Sequence, residues 1–425
     1  MWLWLWAGLA AADSPRVGVN FMRYHWGRPG DNALSVADIN GRVAGLGVDA
    51  MRQMMRADLV WRDVEAADDQ WDFSRADAVL MSAPVEPVVT LFSLQYASPT
   101  PPWARGASEF QSEMGPEAID YVTTVVKRYA EHVRYWEVGN EMDHWRAADP
   151  GAKRRAPGRL PPHRPDGGFT PEQQGKFVAD VAAIIRRHDS DAVILMPGMA
   201  GLSPYVLQTW LPGFSKGAGA SAFDVVGYHF YGPWSAQVER RAALKRALDK
   251  AGLGDKPVWL TETGSTSAAD LRQRTNYPNS PESQAADVFR RIVSAWGQGD
   301  RAVFWHSFVD SPNRPQNRWR GYGLFRSDGT AKPAHAAMRM LAGHLKGFTS
   351  ISPIKGLSAG QHGYRFELAN GTHRWVFWGT GTVDAPTDPY AKGMASVVPG
   401  EDGKHAWRAV PDRLTLSAVP WLLRD

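Results

Sequence analysis

Between residues 17 and 345 one pattern recurs eight times, a short apolar run followed by a stretch able to form a helix, and few folds accommodate that many repeats in one chain. The runs are VGVNFM at 17–22, DAMRQM at 49–54, PVEPVVTLF at 84–92, RYWEV at 134–138, DAVILMPG from 191, FDVVGYHFY at 223–231, PVWLTETG from 257 and RAVFWHSF from 301. Helices are predicted over 35–47, with Ser35 as N-cap and Gly47 as stop, and over 171–188, with Thr170 as N-cap and Pro171 at the first position. Further helical stretches cover 116–132, 236–251, 280–296 and 332–345. Eight strand–helix units over roughly 330 residues predict an α/β fold, a (β/α)8 TIM barrel with insertions, in preference to a doubly wound sheet. No Gly-rich phosphate loop follows the first run, which counts against a dinucleotide site. From residue 346 to the end, GYRFELA, HRWVFWG and RLTLSAV alternate with Gly, Pro, Asp and Asn, the pattern of a small C-terminal antiparallel β-sandwich.

A barrel of this kind carries its chemistry at the carboxyl ends of its strands, so those ends are where candidate residues are sought. The stretch RYWEVGNEMD is a strand that runs straight into an acid, Glu141. The other ends offer Asn20 and His25, Arg52, Asn140, His229 and Tyr231, Glu262, and Trp305. Two carboxylates, Glu141 and Glu262, thus face each other across the mouth, and a positioned pair is what glycosidic cleavage needs: one protonated acid for the leaving oxygen, one ionised group on the other face of the sugar. Arg52 and the Tyr231 hydroxyl are expected to favour the charged form of Glu262, and a more apolar surround to keep Glu141 protonated. Glu137, inside an apolar run, is expected to be the structural partner of an arginine in the barrel. A chain without cysteine has no disulfides, zinc–thiolate sites or cysteine nucleophile. The histidines near strand ends, His25, His229 and His306, are too scattered to suggest a metal centre, and no metal or organic cofactor is expected.

The segments WEVGNE, VVGYHFY, VWLTETG and GLFRSDGTAKPA together resemble clan A glycoside hydrolases, and within the clan the chain is most similar to family 39 and its Psl-type exopolysaccharide glycosidases. The resemblance covers residues 17–345 and extends in outline to the C-terminal domain. It implies a retaining mechanism with Glu141 as general acid/base and Glu262 as nucleophile. It further implies that Asn140 bonds the sugar 2-hydroxyl, Tyr231 orients Glu262, His229 and Arg52 support the carboxylates, and Trp305 forms the floor under the sugar. Family 39 xylosidases carry Trp-Asn-Glu where this chain has Gly139, Asn140 and Glu141.

Two basic loops bear on the substrate. Residues 144–168, with Arg154, Arg155 and Arg159, and residues 311–323, with Arg314, Arg318 and Arg320, are expected to overhang the cleft and to suit an acidic polysaccharide. His25, Trp145 and Arg318 are candidate subsite residues, and Trp26, Trp61, Trp103, Trp145 and Trp234 form a set that suggests a polymer groove. The expected activity is therefore endo cleavage of a polysaccharide such as a bacterial exopolysaccharide. An exo-acting β-xylosidase or β-glucuronidase is the alternative within the class, and a non-catalytic glycan-binding or exopolysaccharide-assembly protein the alternative outside it. A net charge of +4, from 48 basic and 44 acidic residues, is too balanced to mark a nucleic-acid partner. An apolar run at residues 2–12 ends in small residues like a secretory signal but lacks a basic start, and it is too short to span a bilayer. It predicts an exported chain, secreted or periplasmic, and a monomer is expected.

Overall fold

The structure is a computed structural model and describes residues 14–20, 34–53, 59–92, 101–104, 114–144, 170–271, 279–310, 320–387 and 390–425. Eight parallel strands make one sheet: β1 (Arg16–Asn20), β2 (Ala50–Gln53), β3 (Glu86–Leu91), β4 (Tyr135–Val138), β5 (Val193–Leu195), β6 (Val226–Phe230), β7 (Val258–Thr263) and β8 (Ala302–His306). Their order, β5-β4-β3-β2-β1-β8-β7-β6, leaves only β5 and β6 to meet. They do so through a parallel bridge between Leu195 and Val225 and the Met196 N–H donated to the Val225 carbonyl at 3.0 Å. The result is the (β/α)8 barrel that the repeat predicts.

A helix follows each strand: α1 (Val36–Leu46), α2 (Ser74–Leu80), α3 (Pro116–Tyr129), α4 (Pro171–His188), α5 (Leu211–Ala218), α6 (Gln237–Lys250), α7 (Pro281–Gly297) and α8 (Pro333–Leu345). Of these, α2 and α5 are short, and the periodicity of the sequence does not announce them. Ser35 caps α1 in a reciprocal box with Asp38, Gly47 ends it in the left-handed conformation, and Thr170 caps α4 in a second box with Gln173.

Strand alternation sorts the barrel into two cores. Ala50, Val88, Tyr135, Val193, Leu195, Val225, Trp259, Ala302 and Phe304 point inward and fill the floor of the barrel. Their neighbours Met51, Val89, Trp136, Ile194, Val226, Leu260, Val303 and Trp305 point outward to the helices. One strand breaks step. Between Leu260 and Glu262 β7 carries one extra residue relative to both neighbours, because Tyr228 pairs with Leu260 but His229 with Glu262, and Val303 with Leu260 but Trp305 with Thr263. This bulge at Thr261 re-aims the residue after it.

The C-terminal part has a six-stranded antiparallel sheet ordered β9-β10-β11-β16-β13-β14, from β9 (Phe348–Pro353), β10 (Gln361–Leu368), β11 (His373–Gly379), β13 (Gly393–Ser396), β14 (Arg408–Ala409) and β16 (Trp421–Arg424). Strands β12 (Thr382–Asp384) and β15 (Arg413–Thr415) form a separate pair. On β11, Val376 and Trp378 join the barrel core while Trp375 and Phe377 join a second core with Val383 and Leu414 of that pair. The sheet docks on α7: Trp296 meets Phe348 at 5.1 Å, and Arg290 donates to the Ala418 carbonyl at 3.0 Å. Among the described residues no helix is long and apolar enough to cross a membrane.

Candidate active site

Alternation carries the floor residues upward into charged ones: Ala50 is followed on its face by Arg52, Tyr135 by Glu137, Val225 by Gly227 and His229, and Phe304 by His306. Arg52 is fully buried and its guanidinium is shared three ways. Nε donates to Glu137 Oε2 at 2.7 Å, Nη1 to Glu262 Oε1 at 2.8 Å and Nη2 to Asn140 Oδ1 at 2.7 Å. Glu137 also accepts the Thr90 hydroxyl at 2.8 Å, so it is the internal counter-ion expected for a barrel arginine.

Beyond β4 the chain turns sharply. Gly139 has φ +84°, a left-handed conformation that L side chains rarely adopt, so the tryptophan of the xylosidase pattern would be strained at this position. Glu141 itself sits at φ +51°, held by its N–H donated to the Gly198 carbonyl at 2.9 Å. A non-glycine residue in that region costs about 1–3 kcal/mol and persists where its surroundings fix it, often at a functional site.

The two carboxylates are close. Glu141, His229 and Glu262 each bring an oxygen or ring nitrogen within 4.8 Å of the others. His229 Nδ1 is 2.8 Å from Glu141 Oε1 and 3.6 Å from Glu262 Oε2. The Tyr231 hydroxyl donates to Glu262 Oε2 at 2.6 Å, so both oxygens of Glu262 are bonded, one by arginine and one by tyrosine. Three such groups could ligate a metal ion, yet here their atoms are engaged with one another as acid, imidazole and ion-paired carboxylate. Their exposures differ: the Glu141 side chain is 20% exposed and that of Glu262 4%, so one carboxyl looks into the cleft and the other lies beneath it.

Electrostatics follows the same division. Burial alone would raise the pKa of Glu262, but His229, His306 and Arg52 outweigh it and, with the Tyr231 bond, hold the carboxyl at about 2. Burial works against a charge on His229, and the charge of Glu262 and the bond to Glu141 overcome it and raise its pKa. Desolvation, then the charge of Glu262, keeps the Tyr231 phenol protonated well above its ordinary range. The apolar surround expected around Glu141 is not found; its carboxyl is bonded to an imidazole and partly open to the cleft. Asn140 is buried with its Oδ1 on Arg52 and, among the described residues, no partner for its Nδ2, which leaves an amide donor beside the two acids.

Other expected residues stand elsewhere. Trp305 is fully buried on the outward face of β8 and donates its indole N–H to the Tyr322 carbonyl at 3.2 Å, so it offers no face to a sugar. The residue on the inward face is its neighbour His306, whose Nδ1 is 3.9 Å from Glu262 Oε2 and whose ring meets Tyr231 edge-on at 5.8 Å. The parity set by Ala302 and Phe304 is a signal that could have found it. Trp61 is a core residue stacked on Tyr121 at 5.2 Å, Trp103 donates to the Glu65 carbonyl, and Trp234 packs against Trp378 of the C-terminal sheet, so these three do not line a groove. Arg320 is buried and ion-paired with Asp270, a brace between loops in place of an overhanging cation. His25, Trp26, Trp145, Arg154, Arg155, Arg159, Arg314 and Arg318 lie outside the described residues.

Comparison with known proteins agrees with this chemistry. The family model for glycosyl hydrolase family 10 matches residues 52–157, and that for the glycosyl hydrolase catalytic core matches residues 168–337. No curated protein sequence matches the chain. Among solved structures, a family 39 glycoside hydrolase from Bacteroides cellulosilyticus WH2 superposes with a TM-score of 0.69 at 17% identity, covering 96% of this chain and 80% of that one. A glucosidase from Croceicoccus marinus gives 0.61 at 15% identity over 97% and 95% of the two chains. A monomeric β-xylosidase from Caulobacter crescentus CB15 gives 0.58 at 15% identity over 97% of each. At such identities the structures speak for the fold, and the two family models for the chemistry: the chain is an O-glycoside hydrolase of clan A, similar to family 39.

Proposed function

We propose that the protein is a retaining glycosidase that cuts a polysaccharide by double displacement, with Glu262 as nucleophile and Glu141 as acid/base. The observation that carries this reading is the approach of one oxygen of each carboxylate to within 4.8 Å of the other. Retaining enzymes keep their carboxyl groups about 5–5.5 Å apart and inverting ones about 6.5–9.5 Å, to admit a water between them. In the first step a Glu262 oxygen bonds to the anomeric carbon as the glycosidic bond breaks, and the Glu141 proton goes to the departing oxygen. In the second, Glu141 takes a proton from water, whose oxygen attacks the same carbon and returns the Glu262 carboxylate. The low pKa of Glu262 suits a group that must be charged before attack, and an Asn140 amide with no partner among the described residues for its Nδ2 supports the bond to a sugar hydroxyl that the family resemblance implies.

The substrate we propose is a bacterial exopolysaccharide or similar glycan, cut internally by an exported enzyme; support comes from the Psl-type resemblance and the basic loop sequences. The competing reading, an exo-acting β-xylosidase or β-glucuronidase, draws on the β-xylosidase fold of the Caulobacter protein. A panel of polysaccharides with product sizing by mass tests both: a ladder of oligosaccharides at early times supports internal cutting, and monosaccharide released from the first minutes refutes it. NMR of the first product distinguishes retention from inversion at the anomeric centre, and inversion would end the double-displacement reading.

A further inference from the structure

One buried polar cluster near the active site has no part in the chemistry above. It centres on Lys332, the residue that precedes α8, which is 4% exposed. Its ammonium donates to the Gly321 carbonyl at 2.9 Å and to Ser267 Oγ at 3.1 Å, and it pairs with Asp310 at 3.1 and 3.3 Å. Asp310 in turn accepts the Gly323 N–H at 2.6 Å. Gly323 can only be glycine here, since a Cβ would lie 2.2 Å from the Asp310 nitrogen. Both neighbours of Tyr322 are therefore gripped, one by the lysine and one by the aspartate. The Tyr322 carbonyl is held as well, by the Trp305 indole N–H and the Ser307 N–H, each at 3.2 Å.

The ring fixed in this way stands behind the nucleophile's partner. Tyr322 meets Tyr231 edge-on at 6.0 Å and His306 at 6.3 Å, and Tyr231 holds Glu262 Oε2. We propose that Lys332 is a positioning residue of the hydrolytic reaction: with Asp310 it clasps residues 321–323 so that Tyr322 backs Tyr231, and Tyr231 keeps the Glu262 carboxylate aimed. The proposal rests on reading Glu262 as the nucleophile.

Stability alone explains such a cluster poorly. Desolvating an ammonium and a carboxylate offsets most of their attraction, and apolar replacements of buried pairs are often neutral or better. The strain shows in both groups, since burial draws Lys332 down to about 8 against the pull of Asp310 and pushes Asp310 up against the pull of Lys332. What several bonds to one ammonium do supply is a fixed geometry, and a displacement of about 1 Å near reacting atoms costs on the order of 100-fold in rate.

The test uses the full chain with Lys332→Met and the double variant Lys332→Met/Asp310→Asn. The single variant orphans a buried carboxylate, so Tm falls; the double variant removes that charge, so Tm recovers. The clasp predicts that kcat stays about 10- to 100-fold low in the double variant, with KM changed less than about twofold. Recovery of kcat together with Tm would make the cluster merely structural and overturn the proposal. A second readout does not need turnover. With 3-fluorotyrosine incorporated, the Tyr231 and Tyr322 fluorine resonances, assigned through their Phe variants, should both shift in the double variant, and unmoved resonances overturn the clasp. If the wild-type protein cuts no glycan, shifted resonances uphold the clasp while the catalytic reading falls.

Discussion

Replacing Tyr231 with Phe removes one hydroxyl and leaves the ring that packs against His306 and Tyr322. The lost bond, 2.6 Å from oxygen to oxygen, is to an ionised acceptor, and such bonds contribute about 1.5–3 kcal/mol. At about 1.36 kcal/mol per unit, that loss raises the pKa of Glu262 by about 1–2 units. The sign is fixed by the direction of donation: a hydroxyl that donates to the carboxylate stabilises its charged form, so removing it favours the proton. Glu262, held at about 2 in the native protein, would then titrate at about 3–4. Activity needs the charged form and is lost as pH falls through that value. Initial rates of kcat/KM from pH 3 to 7, with circular dichroism to exclude acid unfolding, should show no acid limb in the native enzyme above pH 3 and a clear one in Tyr231→Phe. At neutral pH, where Glu262 stays charged in both proteins, kcat falls by about 10- to 100-fold only through loss of the carboxylate's aim, since the charge that the hydroxyl stabilises is itself spent in the attack. A native acid limb near 4.5, or identical limbs in both proteins, would refute the electrostatic assignment.

Glu141→Gln should reduce turnover of glycans by several orders of magnitude while sparing the first step for aryl glycosides with acidic phenols, read as a burst of phenol in stopped flow; slow release of both substrates alike would remove the acid role. His306→Phe should raise KM at least several-fold with little change in Tm, and Trp305→Phe should do the reverse, costing about 1–3 kcal/mol in denaturant unfolding. Activity on a uronate-bearing polymer should fall more steeply between low and high salt than on a neutral one, if the loops after β4 and β8 meet the substrate; parallel salt curves would show that they do not.

The barrel was legible because hydrophobic burial writes it into the chain eight times, and the ends of α1 and α4 because Ser35, Gly47 and Thr170 satisfy terminal backbone groups in a recognisable way. The acid and its turn were legible too, from Gly139, Asn140 and Glu141. The floor residue was misread although the information was present: parity from Ala302 and Phe304 sends Trp305 outward and His306 inward, and aromatic size is no substitute for counting. Glu262 is the opposite case. Counting from Trp259 would turn it outward, and its true aim depends on a bulge that propensity does not mark. Partnerships over long separations, such as Arg52 with Glu262 or Lys332 with Gly321, depend on closure of the barrel and its loops and leave no local trace.

The bulge at Thr261 also bears on how this activity can be gained or lost. The aim of Glu262, the proposed nucleophile, is set by the bulge in β7 more than by the identity of the residue that is extra, since Thr261 uses its carbonyl, which accepts the Asn20 amide at 2.9 Å, as much as its side chain. Small substitutions at this codon should leave hydrolysis largely intact. An in-frame deletion of the same codon would restore plain alternation and keep Glu262 inward, opposite His229, whereas a β7 of native length paired without the bulge would swing Glu262 toward the helices and Thr263 into the mouth, a change that abolishes cleavage with both glutamates of the proposed pair still in the sequence. In a lineage of such barrels, then, the presence of both acids in a sequence does not establish an enzyme, and whether the extra residue of this strand is bulged out of the pairing is the character that tells the two apart.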